Sequence, residues 1–355
     1  MSNMFDFPVL DNDSFSGGFF SAPPPPWLSA FTTPILQPPA PPQARSPPAC
    51  QDTCFKARDG VCDEVRWLAS SAAASLEALC DLGTDCQDCG PWGGHLVDPS
   101  WLEWEGAHPV RPSPPGGALG YSSAPGSPAP GPVAFARHQG ASVRIKRSST
   151  QPSFLQPITS AAADPDVSAM LEGYGAREGG ITRAVAEALS GHCYDPRHGS
   201  GRRLVLEVGA AQGYYALYAA RLGCRVIAWE PVPLYRAFLA LGVALNNLSH
   251  LVRGAAVSDL PSGSLVRLGV PRNGTYWALA SVEDLNLHPH EVDHSIRVRT
   301  ERIDDVVAAH EAVLLLKVDV EGYEPQVLSS ASALLASPHL SHVLLEYSPG
   351  APPDP

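Results

Sequence analysis

The chain has 355 residues, 37 of them proline and mostly ahead of residue 165, so the part able to bury a core is confined largely to the second half. A formal charge of −12 argues against nucleic acid as the main partner, because phosphate binding needs clustered Lys and Arg; the one basic run, Arg144-Ile145-Lys146-Arg147, is short. No apolar run reaches the length of a membrane span, and residues 1–20 are acidic with no basic n-region, so no signal peptide is evident. Either the protein is made without one or its natural start lies upstream of Met1.

Residues 1–49 carry PPPP at 23–26 and PPAPP at 38–42, which favour polyproline II and read as a disordered tail. Residues 50–90 hold six of the eight cysteines, Cys50, Cys54, Cys62, Cys80, Cys86 and Cys89, with few large aliphatics between them. That reads as a small disulfide module whose pairing the sequence does not fix. Asp59, Asp63, Glu64, Asp81, Asp85 and Asp88 interleave with the cysteines and offer oxygen ligands at loop spacing, so a Ca²⁺ site is an added expectation. Zinc is the weaker alternative, since only Cys86-x-x-Cys89 has a ligand-pair spacing. The elements Asp59-Gly60-x-Cys62-Asp63 and Gly83-Thr84-Asp85-Cys86 resemble a Lin-Notch repeat. Disulfides persist in oxidising surroundings, which points to a secretory lumen or the cell exterior, with the cytoplasm as the alternative. Sequons at Asn12, Asn247 and Asn273 are compatible with that setting. Residues 91–152 read as a Gly-, Pro- and Ser-rich linker. Its Trp92, Trp101 and Trp104 either pack on the Cys-rich module or form an aromatic carbohydrate platform.

Residues 153–355 form the remaining domain, predicted to be α/β with a doubly wound, Rossmann-like sheet. Helical spacing over 167–171 and 181–189 gives an N-terminal cover for a ligand site. A strand over 204–207, a turn marked by Gly209 and Gly213, a helix over 214–221 and a strand over 226–229 make one parallel strand-helix-strand unit. The turn discriminates between cofactors. A dinucleotide site wants G-x-G-x-x-G, and here Ala211 stands where the second Gly would fall. Glu207 before the turn suits an ammonium group, and Glu230 at the tip of the next strand suits ribose hydroxyls. Two acidic groups flanking a glycine turn favour S-adenosylmethionine over NAD; the bland alternative is a buried unit whose acidic residues merely cap.

A second helix is predicted over 234–245 and a third strand over 251–257, with Ser258 and Asp259 at its tip as adenine-side contacts. Strands over 265–270 and 295–298 belong to an insertion carrying Trp277, His288, His290 and His294. Residues 285–294 read as a substrate-facing loop; a metal bound by the histidines is the lesser alternative. The most apolar run, 313–320, is the fourth strand and the expected sheet centre, with Asp319, Glu321 and Gly322 at its carboxyl end. A fifth strand spans 342–347, with Glu346 near its tip. Sheets of this order usually add an antiparallel hairpin next, which Gly350 to Pro355 cannot supply, so either the chain is truncated or strands from elsewhere cover that edge.

The stretch GYYALYAARLGCRVIAWEP (213–231) and the stretch VLLLKVDVEGYEPQVL (313–328) resemble, in order and spacing, the two signatures of the FkbM family of methyltransferases that use S-adenosylmethionine. The resemblance covers roughly residues 153–347. Glu207, Ala211 and Gln212 depart from the Asp, Asn and aliphatic residue common in the family. It implies a cofactor site formed by Glu207, Gly209, Ala210, Gly213, Tyr214, Glu230, Pro231, Ser258 and Asp259, with no metal. Asp319 is the first candidate for a base or acceptor orienter and Glu321 the second; the structural alternative has Asp319 capping the next helix and Glu321 pairing with Lys317. The expected partner is a small-molecule or glycan acceptor methylated on a hydroxyl, by analogy. A secreted binding protein with a methyltransferase-like fold and no activity is the competing class, and an NAD-dependent oxidoreductase a third.

Overall fold

The computed structural model describes residues 54, 75–82, 84, 131–196, 201–248, 251–272, 279–283, 285, 292–308 and 310–346. The Pro-rich tail, Cys50, Cys62, Cys86, Cys89, the three tryptophans of 91–104, Asn12, Asn273, Trp277, His288, His290 and Tyr347 lie outside these residues. In chain order the elements are β1 (Ser75–Ala78), α1 (Pro132–His138), β2 (Val143–Arg147), β3 (Leu155–Ile158), α2 (Val167–Tyr174), α3 (Gly179–Leu189), β4 (Leu204–Val208), α4 (Tyr214–Arg221), β5 (Arg225–Trp229) and α5 (Pro233–Leu245). They continue with β6 (Leu251–Arg253), β7 (Ala256–Val257), β8 (Leu265–Pro271), β9 (Ser281–Val282), β10 (Val292–Glu301), α6 (Ile303–Val306), β11 (Val313–Val318), α7 (Glu324–Ser330), α8 (Ser332–Leu335) and β12 (Leu340–Leu345).

Five strands form an all-parallel sheet in the order β12-β11-β4-β5-β6. Strands of such a sheet must be apolar on both faces, and LVLEV of β4 and VLLLKV of β11 are buried throughout. Leu204, Leu206 and Val208 pack with Trp229 and Phe238 on one face, while Val205 packs with Tyr214, Leu217 and Leu314 on the other. The sheet centre is β4 rather than β11: Val313 to Val318 pairs with β4 on one side and β12 on the other, and β4 then pairs with β5. The apolar run in β11 reflects coverage on both faces and does not mark the middle of the sheet.

The strand predicted over 251–257 divides in two. β6 ends the parallel sheet, and β7 pairs with β10 in a second sheet of order β7-β10-β8-β9. The break falls at Gly254, where a Cβ would lie 2.6 Å from Nη1 of the buried Arg236, so the chain turns there around that guanidinium. The second sheet is the insertion that the sequence placed between the third and fourth core strands.

The ordered body starts upstream of Ser153. α1 and β2 fall inside the stretch read as linker, and β1 of the Cys-rich segment joins β2 and β3 in an antiparallel three-stranded sheet. Composition hid this because Val133, Ala136, Val143 and Ile145 are few, yet all are buried against the larger core. Asp81, one of the residues proposed for Ca²⁺, accepts hydrogen bonds from the backbone N–H groups of Val133 (2.7 Å) and Ala134 (3.1 Å) at the start of α1. Its carboxylate is thereby occupied by the first turn of a helix; the other acidic residues of that expectation lie outside the described residues. Disulfides join Cys54 to Cys80 and Cys193 to Cys224, the second tying the end of the α3 segment to the start of β5.

Candidate active site

A cleft opens at the carboxyl ends of β4, β5 and β11, where open α/β sheets bind ligands. Gly209, Ala211, Glu230 and Pro231 line one end, and Asp319, Val320 and Glu321 line the other. The second sheet supplies Leu268, Ala280 and Val282, so the insertion does reach the ligand edge.

The turn after β4 is shaped by its glycines. Gly209 has φ +79°, and a Cβ there would lie 1.8 Å from the Asp319 carbonyl oxygen, so only glycine lets the β4 turn approach the end of β11. Gly213 has φ +83°, and its Cβ would strike the Leu239 side chain; it serves helix packing and does not line the cleft. Ala211 also adopts positive φ (+48°), a conformation that Asn tolerates better than Ala. It is held there by Glu230, whose Oε2 accepts the Ala211 N–H at 2.7 Å while Oε1 accepts the Val232 N–H at 2.7 Å. Burial pushes the Glu230 carboxyl up to about 8 against those two hydrogen bonds.

Glu207 points to the face of β4 that carries Val205. It is 2% exposed, and among the described residues its Oε2 meets no hydrogen-bond partner. Burial raises its pKa to about 7, opposed chiefly by Lys317 and Arg177. Gln212, where the family commonly has an aliphatic residue, is explained by its contacts: Nε2 donates to Asp164 Oδ2 (2.9 Å) and Ser168 Oγ (3.1 Å), and its carbonyl oxygen accepts from Gln156 Nε2 (2.9 Å). This buried network fastens the N-terminal cover, through Asp164 and α2, to the glycine turn.

At the other end Lys317 Nζ donates to Asp319 Oδ2 at 2.7 Å and lies 5.1 Å from the centre of the Tyr215 ring. Burial alone would raise the Asp319 pKa, but Lys317, a hydrogen bond with Glu346, and Arg177 hold it well below the usual carboxylate range. Glu346, just past β12, is pushed up to about 9, first by its hydrogen bond to Asp319 and then by burial. Ligand-capable oxygens of Asp319, Glu321 and Glu346 all lie within 4.8 Å of one another. The two structural alternatives do not occur as framed. Glu324, in the first turn of α7, takes the Val320 and Gly322 N–H groups, and Lys317 bonds Asp319 in place of Glu321.

Ser258 and Asp259 are not brought to the cleft wall. Ser258 Oγ lies 3.0 Å from Tyr323 Oη, Asp259 is exposed, and the preceding Ala255, Ala256 and Val257 line the cleft. Ala210 and Tyr214 are buried behind the turn, Tyr214 against Phe154 with ring centres 5.4 Å apart. Sequence reasoning missed Arg177, which lines the cleft from the loop between α2 and α3, and the apolar wall of Trp229, Tyr235 and Val257. A lone Arg among Gly175, Gly179 and Gly180 carries no spacing signal that could have marked it.

The parallel sheet and a cleft at its carboxyl ends define a Rossmann-like methyltransferase fold. Residues 207–354 match the family model of the methyltransferase FkbM domain. The match begins within β4, so β2, β3, α2 and α3 lie ahead of it. No curated protein and no solved structure matches the chain.

Proposed function

We propose that the chain transfers a methyl group from S-adenosylmethionine to a hydroxyl of a glycan or another polyhydroxyl small molecule. The observation that carries this reading is one cleft with two different carboxylate ends: Glu230 and the glycine turn on one side, ionised Asp319 on the other. The residues fit the cofactor. The Gly209 approach leaves backbone within reach of a ligand, whereas Glu207 lies behind the turn and does not line the cleft, so the ammonium role expected for it is not part of this fit. Glu230, anchored by two backbone donors, keeps lone pairs for ribose hydroxyls, and the Ala255–Val257 wall supplies an apolar surface for a base. Pro231 lies beside Glu230 in the lining.

When bound, the cofactor supplies an electrophilic methyl group on a sulfonium; the protein's part is to position the acceptor and handle its proton. Asp319 remains ionised because Lys317 compensates its charge in a buried setting. It therefore accepts a hydrogen bond from an acceptor hydroxyl and orients the oxygen, with Glu321 alongside. A carboxylate held this low is a weak base towards the hydroxyl itself, so it orients the oxygen first and takes the proton as the new O–methyl bond forms and makes that proton strongly acidic. Glu346 holds the proton it shares with Asp319. The disulfides at Cys54–Cys80 and Cys193–Cys224 support a secretory or extracellular location as part of the same reading.

The test is calorimetric titration of the full chain with S-adenosylmethionine, followed by a labelled-methyl screen against sugars and small phenols. Asp319→Asn is expected to lower turnover on any acceptor found by about 100-fold or more while cofactor affinity stays within about three-fold. Equal loss of both moves Asp319 to a cofactor or structural role.

A further inference from the structure

Arg177 lines the cleft and lowers Asp319 and Glu207 through its charge, but its terminal donors are left without a task. It lies in the loop between α2 and α3, with Gly175 and Glu178 both at positive φ on either side. Thr182 Oγ1 donates to its carbonyl oxygen and fixes the backbone. Its side chain is 11% exposed. Among the described residues its one ion pair runs through Nε to Glu178 at 3.4 Å, and its terminal Nη groups make no hydrogen bond. Glu178 is itself engaged, accepting the Tyr215 hydroxyl at 2.8 Å. Burial opposes the charge on Arg177, but Glu178, Asp319, Tyr215 and Asp166 outweigh it and keep the guanidinium protonated.

Among the described residues lining the cleft, Arg177 alone carries a positive charge, beside Glu230, Asp319 and Glu321. Lys317 does not line it and is bound to Asp319. The proposed cofactor carries a sulfonium and an ammonium, which that surround favours, and one carboxylate, which it repels everywhere except at Arg177. A planar guanidinium with two terminal donors facing a cleft matches a carboxylate in two parallel hydrogen bonds.

Building on the methyltransferase reading, we propose that Arg177 binds the α-carboxylate of the cofactor's methionine portion and so selects the intact amino acid end. The N-terminal cover thereby contributes directly to the cofactor site, and the Gln212–Asp164–Ser168 network sets where the cover sits.

The experiment measures affinities by calorimetry for wild type, Arg177→Met and Arg177→Lys. The three probes are S-adenosylmethionine, decarboxylated S-adenosylmethionine, which lacks only the carboxylate, and 5′-methylthioadenosine, which lacks the amino acid altogether. Wild type is expected to prefer the intact cofactor over the decarboxylated form by about 10–100-fold. In Arg177→Met that ratio falls to about one while 5′-methylthioadenosine binds within about two-fold of wild type, and Arg177→Lys recovers part of the preference. An undiminished ratio in Arg177→Met overturns the assignment and makes an anionic group on the acceptor the better partner. Equal weakening of all three probes also overturns it, since that marks a structural role. No binding of any probe to wild type removes the cofactor reading, and this assignment with it.

Discussion

Glu230 and Asp319 follow two strands of one sheet beside the same cleft, Glu230 buried and Asp319 partly so, yet their protonation goes in opposite directions. At the β4–β5 end the Glu230 carboxylate accepts two backbone N–H groups, while the nearby Arg236 guanidinium bonds the Glu230 backbone carbonyl at 3.0 Å, and burial lifts the carboxyl to about 8. At the β11–β12 end Lys317 lies 2.7 Å from Asp319 and holds it below the usual range. Hydrogen bonds from neutral donors lower a buried acid less than one full compensating charge does. The β4–β5 end is thus charged most fully once a cation arrives, while the β11–β12 end is charged in advance.

Removing the lysine is the strongest way to break this contrast. Lys317→Met leaves Asp319 without its partner in the sheet interior and is expected to cost about 3–5 kcal/mol by urea unfolding. Unchanged stability would show that Lys317 does not set the difference. Gly209→Val strikes the point where the two ends touch, placing a side chain against the Asp319 carbonyl at positive φ. A stability loss of about 2–5 kcal/mol is expected from strain and overpacking, with calorimetric heat from S-adenosylmethionine abolished. Retained affinity would contradict the close approach of the turn.

The contrast also has a pH signature. Burial raises Glu207 and Glu230 to about 7 and about 8, above the ordinary 4.5 of a glutamate. The folded chain therefore holds protons that unfolding releases. Stability from these groups is full below about pH 4.5 and lost as pH rises through 7 and 8, at about 1 kcal/mol per pH unit for each group. Asp319, with its pKa lowered, acts the other way and only in acid. Affinity for a cationic cofactor is expected to rise across the window in which the unliganded chain loses stability. Urea unfolding and calorimetry at pH 5, 6, 7 and 8 check this; parallel trends would refute it.

The smallest effect expected is at the cover. Gln212→Leu restores the aliphatic residue common in the family but leaves Asp164 and Ser168 short of a buried donor, costing about 1–2 kcal/mol. Because Gln212 anchors the cover near the cofactor end, affinity for S-adenosylmethionine is expected to fall while the Asp319–Glu346 pair keeps its pH behaviour. A shift in that pair would blur the two ends into one.

The strands and helices of the parallel sheet were legible because their cues are local. An apolar run buried on both faces, glycine at a turn and helical spacing in YYALYAAR each act within a few residues. The same cues singled out Gly209, Glu230, Asp319 and Glu321, which line the cleft, and Glu207, which does not. They failed where burial is decided far along the chain. Ser258 was placed one step too far because Gly254 bends the chain into a second sheet, and Arg177 was invisible because nothing near it in sequence resembles a site.

The alternation of side chains and the two ordered motifs determined, unaided, a parallel α/β sheet and the region of its ligand edge. Which carboxylate keeps its proton, which strand forms the sheet centre, and that a short stretch upstream of residue 153 belongs to the folded body were decided only by tertiary packing. The physical reason is that charge compensation and burial depend on neighbours brought together in space, such as Glu207 beside Lys317 across two paired strands, and the one-dimensional pattern does not specify those distances.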